Sequence, residues 1–361
     1  MRTKLIPQVP LRILVIGAGV IGSVYATRLQ AAGHTVTLQA REQHAADLRA
    51  TGLLLEDAAT GQSTTSHIRI VDRLDPDDVY DLALVCVRLD QVAATVPDLA
   101  ANQQIPTVVF LLNNPTGTKP LVERLGAQRV VLGFPGIGGT REGTRVRYVR
   151  IRQQPTTLGE VDGRITPRLR QLATLLERAG FPVALSRSMD GWLKTHAVFV
   201  SCVSAALALE GGDSVQLGQS RECVALMVNA IREGFAALQS LGIPVAPFNL
   251  KLIFSRMPRW FAVRYWQRAL QTSVGTLAIA PHARAARAEM GQVAREVLGL
   301  LQASPVPTPT LERLLEALTR PVLAPDDWPP GGGGTDMSQR LLSLEAGEIV
   351  SCFLVHNQQT C

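Results

Sequence analysis

The chain is short of cysteines, aromatic rings and charge, and each shortage removes a class of protein. Five cysteines in 361 residues (Cys86, Cys202, Cys223, Cys352, Cys361) are odd in number and widely scattered. They form no C-x-x-C pair and have no histidine at zinc spacing, which argues against a disulfide-framed secreted scaffold and against a metal centre. A reduced, cytoplasmic chain without a metal is the expectation. Lys plus Arg number 36 against 30 Asp plus Glu, a net charge of +6 with no dense basic run, so no nucleic-acid partner is expected. Charged residues make up 18% and hydrophobic ones 46%, too apolar for disorder, and the length suits two domains. Two apolar stretches imitate membrane-related segments. Residues 13–26, behind Arg2 and Lys4, are interrupted by glycines and read as a strand and turn rather than a leader. Residues 197–209 fall short of the roughly 18–20 that a spanning helix needs and read as a core helix, so no membrane partner is expected.

What is present is a clear order of elements. Short apolar runs at 12–16, 35–39, 82–86, 107–111 and 130–133 alternate with helical stretches, the pattern of a doubly wound parallel sheet. Residues 158–163 read as the last strand and turn of that sheet. Long helical periodicity then takes over at 167–179, 189–209, 220–241, 283–303 and 308–318. The predicted fold is α/β followed by all-α, with a sheet domain over 1–188 and a helical domain over 189–319. Residues 320–361, with Pro329-Pro330 and four glycines at 331–334, read as a flexible tail. Within it, 340–355 is apolar enough to dock on a neighbouring subunit, which makes a homodimer one expectation.

Gly17-Ala18-Gly19-Val20-Ile21-Gly22 follows the first predicted strand directly and opens a helix closed by Gly33. In that context G-x-G-x-x-G is a dinucleotide fingerprint. Gly17 permits the tight turn, Gly19 lets a pyrophosphate approach the backbone, and Gly22 lets helix and strand pack, with the helix N–H groups facing the phosphates. At the end of the second strand, where an NAD enzyme carries Asp or Glu, stands Gln39-Ala40-Arg41. No acid repels a 2′-phosphate there, and Arg41 is placed to pair with one, so NADP(H) is the expected cofactor.

These segments, Ile16–Ser23, Ala32-Gly33-His34 and Val36–Arg41, resemble the ketopantoate reductase (2-dehydropantoate 2-reductase) family. So do 81–88, the Asn-containing turn at 110–113, Trp192-Leu193-Lys194, and Glu289 with the later Val306-Pro307-Thr308-Pro309; the likeness runs from about 11 to 319. It implies a Rossmann domain, a C-terminal helical domain like that of 6-phosphogluconate dehydrogenase, and NADPH supplying a hydride to a small-molecule 2-oxo acid in the cleft between them. It also makes Lys194 the general acid, Asn113 the cofactor-side asparagine, Glu289 the carboxylate near the lysine, and Arg88 the cation at the end of the third strand. The chemistry agrees. Hydride delivery to a ketone leaves an alkoxide, which needs a proton and a nearby positive charge, and a lysine supplies both.

Departures from the family pattern bear on substrate. The family's asparagines four and eight residues after the lysine are Val198 and Cys202 here. A substrate hydroxyl facing valine would be left unpaired at a cost of about 1–3 kcal/mol. Ser201, Ser273 and Thr276 are the polar substitutes, with Leu277 at the family's serine register, while His282, Arg284 and Arg287 are candidates for a carboxylate. Residues 254–266 concentrate Trp260, Phe261, Tyr265 and Trp266 in a chain with 5% aromatics, and three roles stand open for them: a lid or packing element, a dimer contact, or a membrane-surface patch. The expected function is an NADPH-dependent 2-oxo acid reductase using Lys194. Its alternatives are a different ketone substrate or a non-catalytic NADP(H)-binding role.

Overall fold

Ile13, Leu14, Val15 and Ile16 are all buried, and their side chains divide alternately between two hydrophobic clusters. Only a strand covered on both faces does this, and β1 (Arg12–Ile16) is also paired along both of its edges, which puts it inside a sheet. The computed structural model describes residues 9–151, 154–272, 275 and 287–319. The other strands are β2 (Thr35–Gln39), β3 (Leu53–Asp57), β4 (Ser63–Ser66), β5 (Arg69–Val71), β6 (Leu82–Val85), β7 (Val108–Leu111), β8 (Val130–Phe134), β9 (Ile137–Glu142), β10 (Arg145–Arg150), β11 (Thr156–Glu160) and β12 (Val183–Leu185). Around them run α1 (Val20–Ala31), α2 (Glu42–Thr51), α3 (Leu89–Ala101), α4 (Lys119–Leu125) and α5 (Pro167–Arg178). The helical part comprises α6 (Met189–Leu209), α7 (Ser214–Gln219), α8 (Arg221–Ser240), α9 (Phe248–Lys251), a π-helical turn (Leu252–Arg256), α10 (Arg259–Leu270), α11 (Arg287–Leu301) and α12 (Pro309–Thr319).

The main sheet has the order β12-β11-β8-β7-β6-β1-β2-β5 and is parallel except where β11 meets β8. The chain leaves β1 toward β2 on one side and returns to β6 on the other, so the strand order reverses between β1 and β6. Ligands of doubly wound sheets bind at that reversal, beyond the carboxyl ends of the strands. Gly17, Arg88 and Asn113 follow β1, β6 and β7 respectively, and so all leave the sheet at this edge.

Two features correct the sequence reading. The strand at 156–160 is not the last: α5 packs against β11 and returns the chain to β12, a parallel strand of three residues. A second sheet, ordered β4-β3-β10-β9, stands apart from the first. It buries Leu53, Leu55, Val146 and Tyr148 on one face, and on the other Arg145 and Arg147 both pair with Glu56.

In the helical part α6 is wrapped by α8, α11 and α12. It spans the 189–209 that the periodicity predicts, 21 residues, and is the one helix among the described residues long and apolar enough to cross a membrane. Since 72% of its most apolar window is buried by protein, packing accounts for that composition. The compact unit ends at Thr319, and the expected tail at 320–361 lies outside the described residues.

At the end of β11, buried Glu160 accepts hydrogen bonds from Thr166 and from Arg168 Nε at 2.9 Å. Burial alone would raise its pKa, but the Arg168 and Thr166 bonds and the Arg168 charge outweigh that and hold it below the ordinary value. A depressed folded pKa gives stability that is present above the unfolded carboxyl's ~4.3 and is lost as pH falls through the folded value. Glu160→Gln is therefore expected to lower stability at neutral pH and to flatten its loss in acid. Denaturant unfolding across a pH series checks this.

Candidate active site

The glycine loop comes first, because β1 aims it. Gly17 adopts φ +103°, and its amide donates to the Gln39 carbonyl at the end of β2. A Cβ on Gly22 would lie 1.9 Å from the Gly17 carbonyl oxygen, so helix and loop touch backbone to backbone. Gly19 is different: it caps α1 with φ −80° and ψ −168°, and a Cβ there would meet nothing within 4 Å. No side chain caps α1 and no acid occupies its first turn, leaving the amides that open the helix, those of Val20 and Ile21 among them, free for an anion. That open cradle fits the pyrophosphate of a dinucleotide.

The flank of the loop toward β2 is basic. Arg41 caps α2 and is exposed. Three residues on, His44 Nε2 contacts the Ala18 carbonyl at 3.1 Å, and the Arg141 guanidinium of β9 lies 3.4 Å from the same ring. Partial burial and the Arg141 charge hold the His44 pKa below its ordinary value. Directly after Arg41, Glu42 holds φ +53°, the left-handed region that a non-glycine residue enters at about 1–2 kcal/mol. Sequence reading found Arg41 but missed His44 and Arg141. The first was visible as an i,i+3 neighbour, whereas the second sits on a strand that the sequence did not announce.

At the other end, Arg88 follows β6 and forks onto Asp90 at 3.0 and 2.9 Å. That bond raises its pKa, and the negative charge of Glu289 adds to the effect. After β7, buried Asn113 donates from Nδ2 to Glu289 Oε1 on α11 at 3.1 Å. Its Oδ1 has no partner. A buried acceptor left empty costs about 1–3 kcal/mol, and a donor carried in by a ligand would satisfy it. Asn114 Oδ1 accepts from the Gly117 amide at 3.1 Å, closing a turn in which Gly117 has φ +90°. A Cβ on Gly117 would lie 3.1 Å from Asp190 Oδ1 and 3.4 Å from Lys194 Nζ. The turn at 113–117 thus joins Asn113 and Glu289 at one end to Lys194 at the other.

The carboxylate bonded to Lys194 is Asp190, not Glu289: Lys194 Nζ donates to Asp190 Oδ2 at 2.5 Å, one helical turn back along α6. The i,i+4 spacing was the legible signal for that pair. Ser201 is a second correction. It is fully buried, and its hydroxyl donates to the Ala197 and Val198 carbonyls at 2.7 and 3.2 Å, so it offers no hydrogen to a substrate. Val198 and Cys202 are also fully buried, in the helical core, where Val198 packs against Gly234. Ser273, Thr276, Leu277, His282 and Arg284 lie outside the described residues, and Arg287 opens α11. The aromatic run at 254–266 divides: Phe254 and Trp266 pack in the core with Phe199, while Trp260 is exposed. His196 stacks on Trp192 and lies against Phe134.

Residues 13–163 match the profile of the family described as ketopantoate reductase PanE/ApbA. No curated protein matches the chain. Among solved structures, a PanE/ApbA family ketopantoate reductase from Ralstonia eutropha superposes with a TM-score of 0.67 at 22% identity, over 85% of this chain and 97% of that one. A 2-dehydropantoate 2-reductase from Geobacter metallireducens gives 0.68 at 17%, over 85% and 99%. D-mandelate dehydrogenase, in a complex with NADH and anilino(oxo)acetate, gives 0.70 at 15%, over 85% and 97%. At these identities the structural likeness establishes the fold.

Proposed function

We propose that this chain, whose residues 13–163 match the ketopantoate reductase family, is an NADPH-dependent reductase that converts a 2-oxo acid to the 2-hydroxy acid. One observation carries the reading: the buried, unpartnered Asn113 Oδ1 stands on the same turn that touches Lys194, at the sheet edge where the glycine loop also opens. When bound, the nicotinamide cofactor supplies the hydride. The 17–22 loop and the first amides of α1 hold its pyrophosphate, and Asn113 Oδ1 accepts a hydrogen bond at the reacting end. Lys194 commits one N–H to Asp190 and keeps two for the substrate, which it uses to polarise the ketone oxygen and to protonate the alkoxide as it forms. Arg88 and Glu289 complete the polar wall, the first as a cation for phosphate or carboxylate, the second by orienting Asn113.

NADPH is preferred over NADH because Arg41, with His44 and Arg141 nearby, offers positive charge where Gln39 replaces an acid. Charge-assisted hydrogen bonds contribute about 1.5–3 kcal/mol, so Arg41→Ala should weaken NADPH binding about 10–100-fold and leave NADH unchanged. Fluorescence titration with both cofactors measures this; equal losses for the two would remove the 2′-phosphate assignment.

Val198 and Cys202, buried in the helical core, offer no amide to a distal substrate hydroxyl. The proposed substrate is therefore a 2-oxo acid with an apolar substituent rather than a hydroxylated one. D-mandelate dehydrogenase, whose fold is shared, accommodates anilino(oxo)acetate. NADPH consumption with a panel of 2-oxo acids, ketopantoate included, tests the choice. Faster turnover of apolar members supports it, and ketopantoate turned over best would return the family substrate. Cys86, Cys202 and Cys223 are free and buried, which is in keeping with the proposed reducing, cytoplasmic setting.

A further inference from the structure

We infer that Asp190 is the positioning residue of this site: it holds the Lys194 ammonium, protonated, against the turn at 113–117. The inference rests on the reading of Lys194 as general acid. A lysine ammonium on a four-carbon stem has no fixed direction of its own, and a proton donor must stand within hydrogen-bond reach of the atom it serves. On a helix, long side chains lean toward the N-terminus, so the Lys194 stem runs back over the preceding turn, where Asp190 stands. The resulting bond is 2.5 Å, with Lys194 13% exposed and Asp190 38% exposed.

The neighbouring backbone is shaped around this pair. Gly117, at φ +90°, brings its Cα hydrogen where any side chain would press on both partners, at 3.1 Å from Asp190 Oδ1 and 3.4 Å from Lys194 Nζ. Among the described residues, Arg187 and Asp162 line the same pocket as Asp190, with Asp162 held by Arg164, and further charged groups around this end of α6 are engaged elsewhere. Glu289 of α11 is held by Asn113, Arg88 before α3 by Asp90, and Glu160 of β11 by Arg168 and Thr166. Glu233 of α8 caps α12 through the Thr310 and Leu311 amides. Asp190 is thus the carboxylate committed to the lysine. It fixes the direction of the ammonium beside the turn at 113–117.

The test compares wild type with Asp190→Asn and Asp190→Glu, with Lys194→Ala as reference. Asp190→Asn should lower kcat about 10–100-fold with NADPH affinity unchanged, and should move the alkaline limb of the kcat profile to lower pH, with Asp190→Glu recovering part of both. A readout independent of turnover is competitive acylation of the chain's four lysines, Lys4, Lys119, Lys194 and Lys251, followed by peptide mass spectrometry. Acylation reaches only the neutral amine, so Lys194 should react faster in Asp190→Asn at a fixed pH while Lys119 and Lys251 do not change. Unchanged Lys194 acylation, or a kcat raised by Asp190→Asn, overturns the inference. If Lys194→Ala loses turnover while Asp190→Asn matches wild type in rate, pH profile and acylation, the reductase reading stands and the role of Asp190 falls. If Lys194→Ala turns over normally, the general-acid reading falls, and with it the role of Asp190.

Discussion

Lys194→Ala is expected to lower kcat for 2-oxo acid reduction by about 10²–10⁴-fold and to leave NADPH affinity within about twofold. As the proposed general acid, the lysine would give the alkoxide its proton and stabilise the developing charge before the proton arrives, two contributions lost together with the ammonium. On the proposed reading the cofactor's phosphates lie at α1 and Arg41, away from Lys194, so binding should not register the change. Lys194→Arg separates the two contributions. It keeps a cation but gives up no proton near neutral pH, and its planar fork does not fit where a point charge stood, so substrate affinity should recover more than turnover. Fold stability should move by less than about 1 kcal/mol in either variant, because Asp190 is 38% exposed and water can take the place of the lysine. Steady-state kinetics with a parallel NADPH titration decides the matter, and loss of NADPH binding along with turnover would place Lys194 in the cofactor site instead.

The second large effect separates two glycines of one motif. Gly22→Ala forces a Cβ to within 1.9 Å of the Gly17 carbonyl oxygen, backbone against backbone, and should cost about 1–3 kcal/mol or more and lower Tm even without cofactor. Gly19→Ala should leave Tm unchanged, since its φ of −80° and ψ of −168° suit any residue and no atom lies within 4 Å of the added methyl. The same methyl enters the space through which the pyrophosphate approaches, so NADPH affinity should fall about 10–100-fold. Thermal unfolding of the cofactor-free protein and NADPH titration, run on both variants, measure the two effects separately. A Gly19→Ala protein that binds NADPH like wild type would move the pyrophosphate away from this loop.

The parts of this arrangement written plainly in the sequence are those that depend on local geometry. A glycine fingerprint between an apolar strand and a helix has one backbone solution, and the helices at 167–179, 189–209 and 220–241 carry enough apolar period to announce themselves. The second sheet did not: Ser63–Ser66 exposes most of its side chains and has no apolar alternation to read, and Arg145–Arg150 alternates over only two fully buried residues. Ser201 shows the limit of periodicity. Seven residues after Lys194 it shares that residue's helical face, but farther along α6 the face is covered, and periodicity reports the direction of a side chain without its depth. Val198 and Cys202 follow the same rule: the resemblance implies amides at these positions, and packing against α8 and α12 makes them core. Arg141 sits on a local hairpin of β9 and β10, but its approach to the glycine loop depends on the long-range pairing of β10 with β3, for which no local signal exists.

The central claim, hydride transfer from a bound nicotinamide cofactor to a 2-oxo acid under the control of Lys194, is tested most directly with NADPH deuterated at the transferring carbon. The account predicts a 2-hydroxy acid carrying deuterium on C2, formed by the wild-type chain, at a rate lowered about 10²–10⁴-fold by Lys194→Ala. A wild-type chain that binds NADPH but transfers no deuterium to any 2-oxo acid, or that transfers it equally well without Lys194, would contradict it.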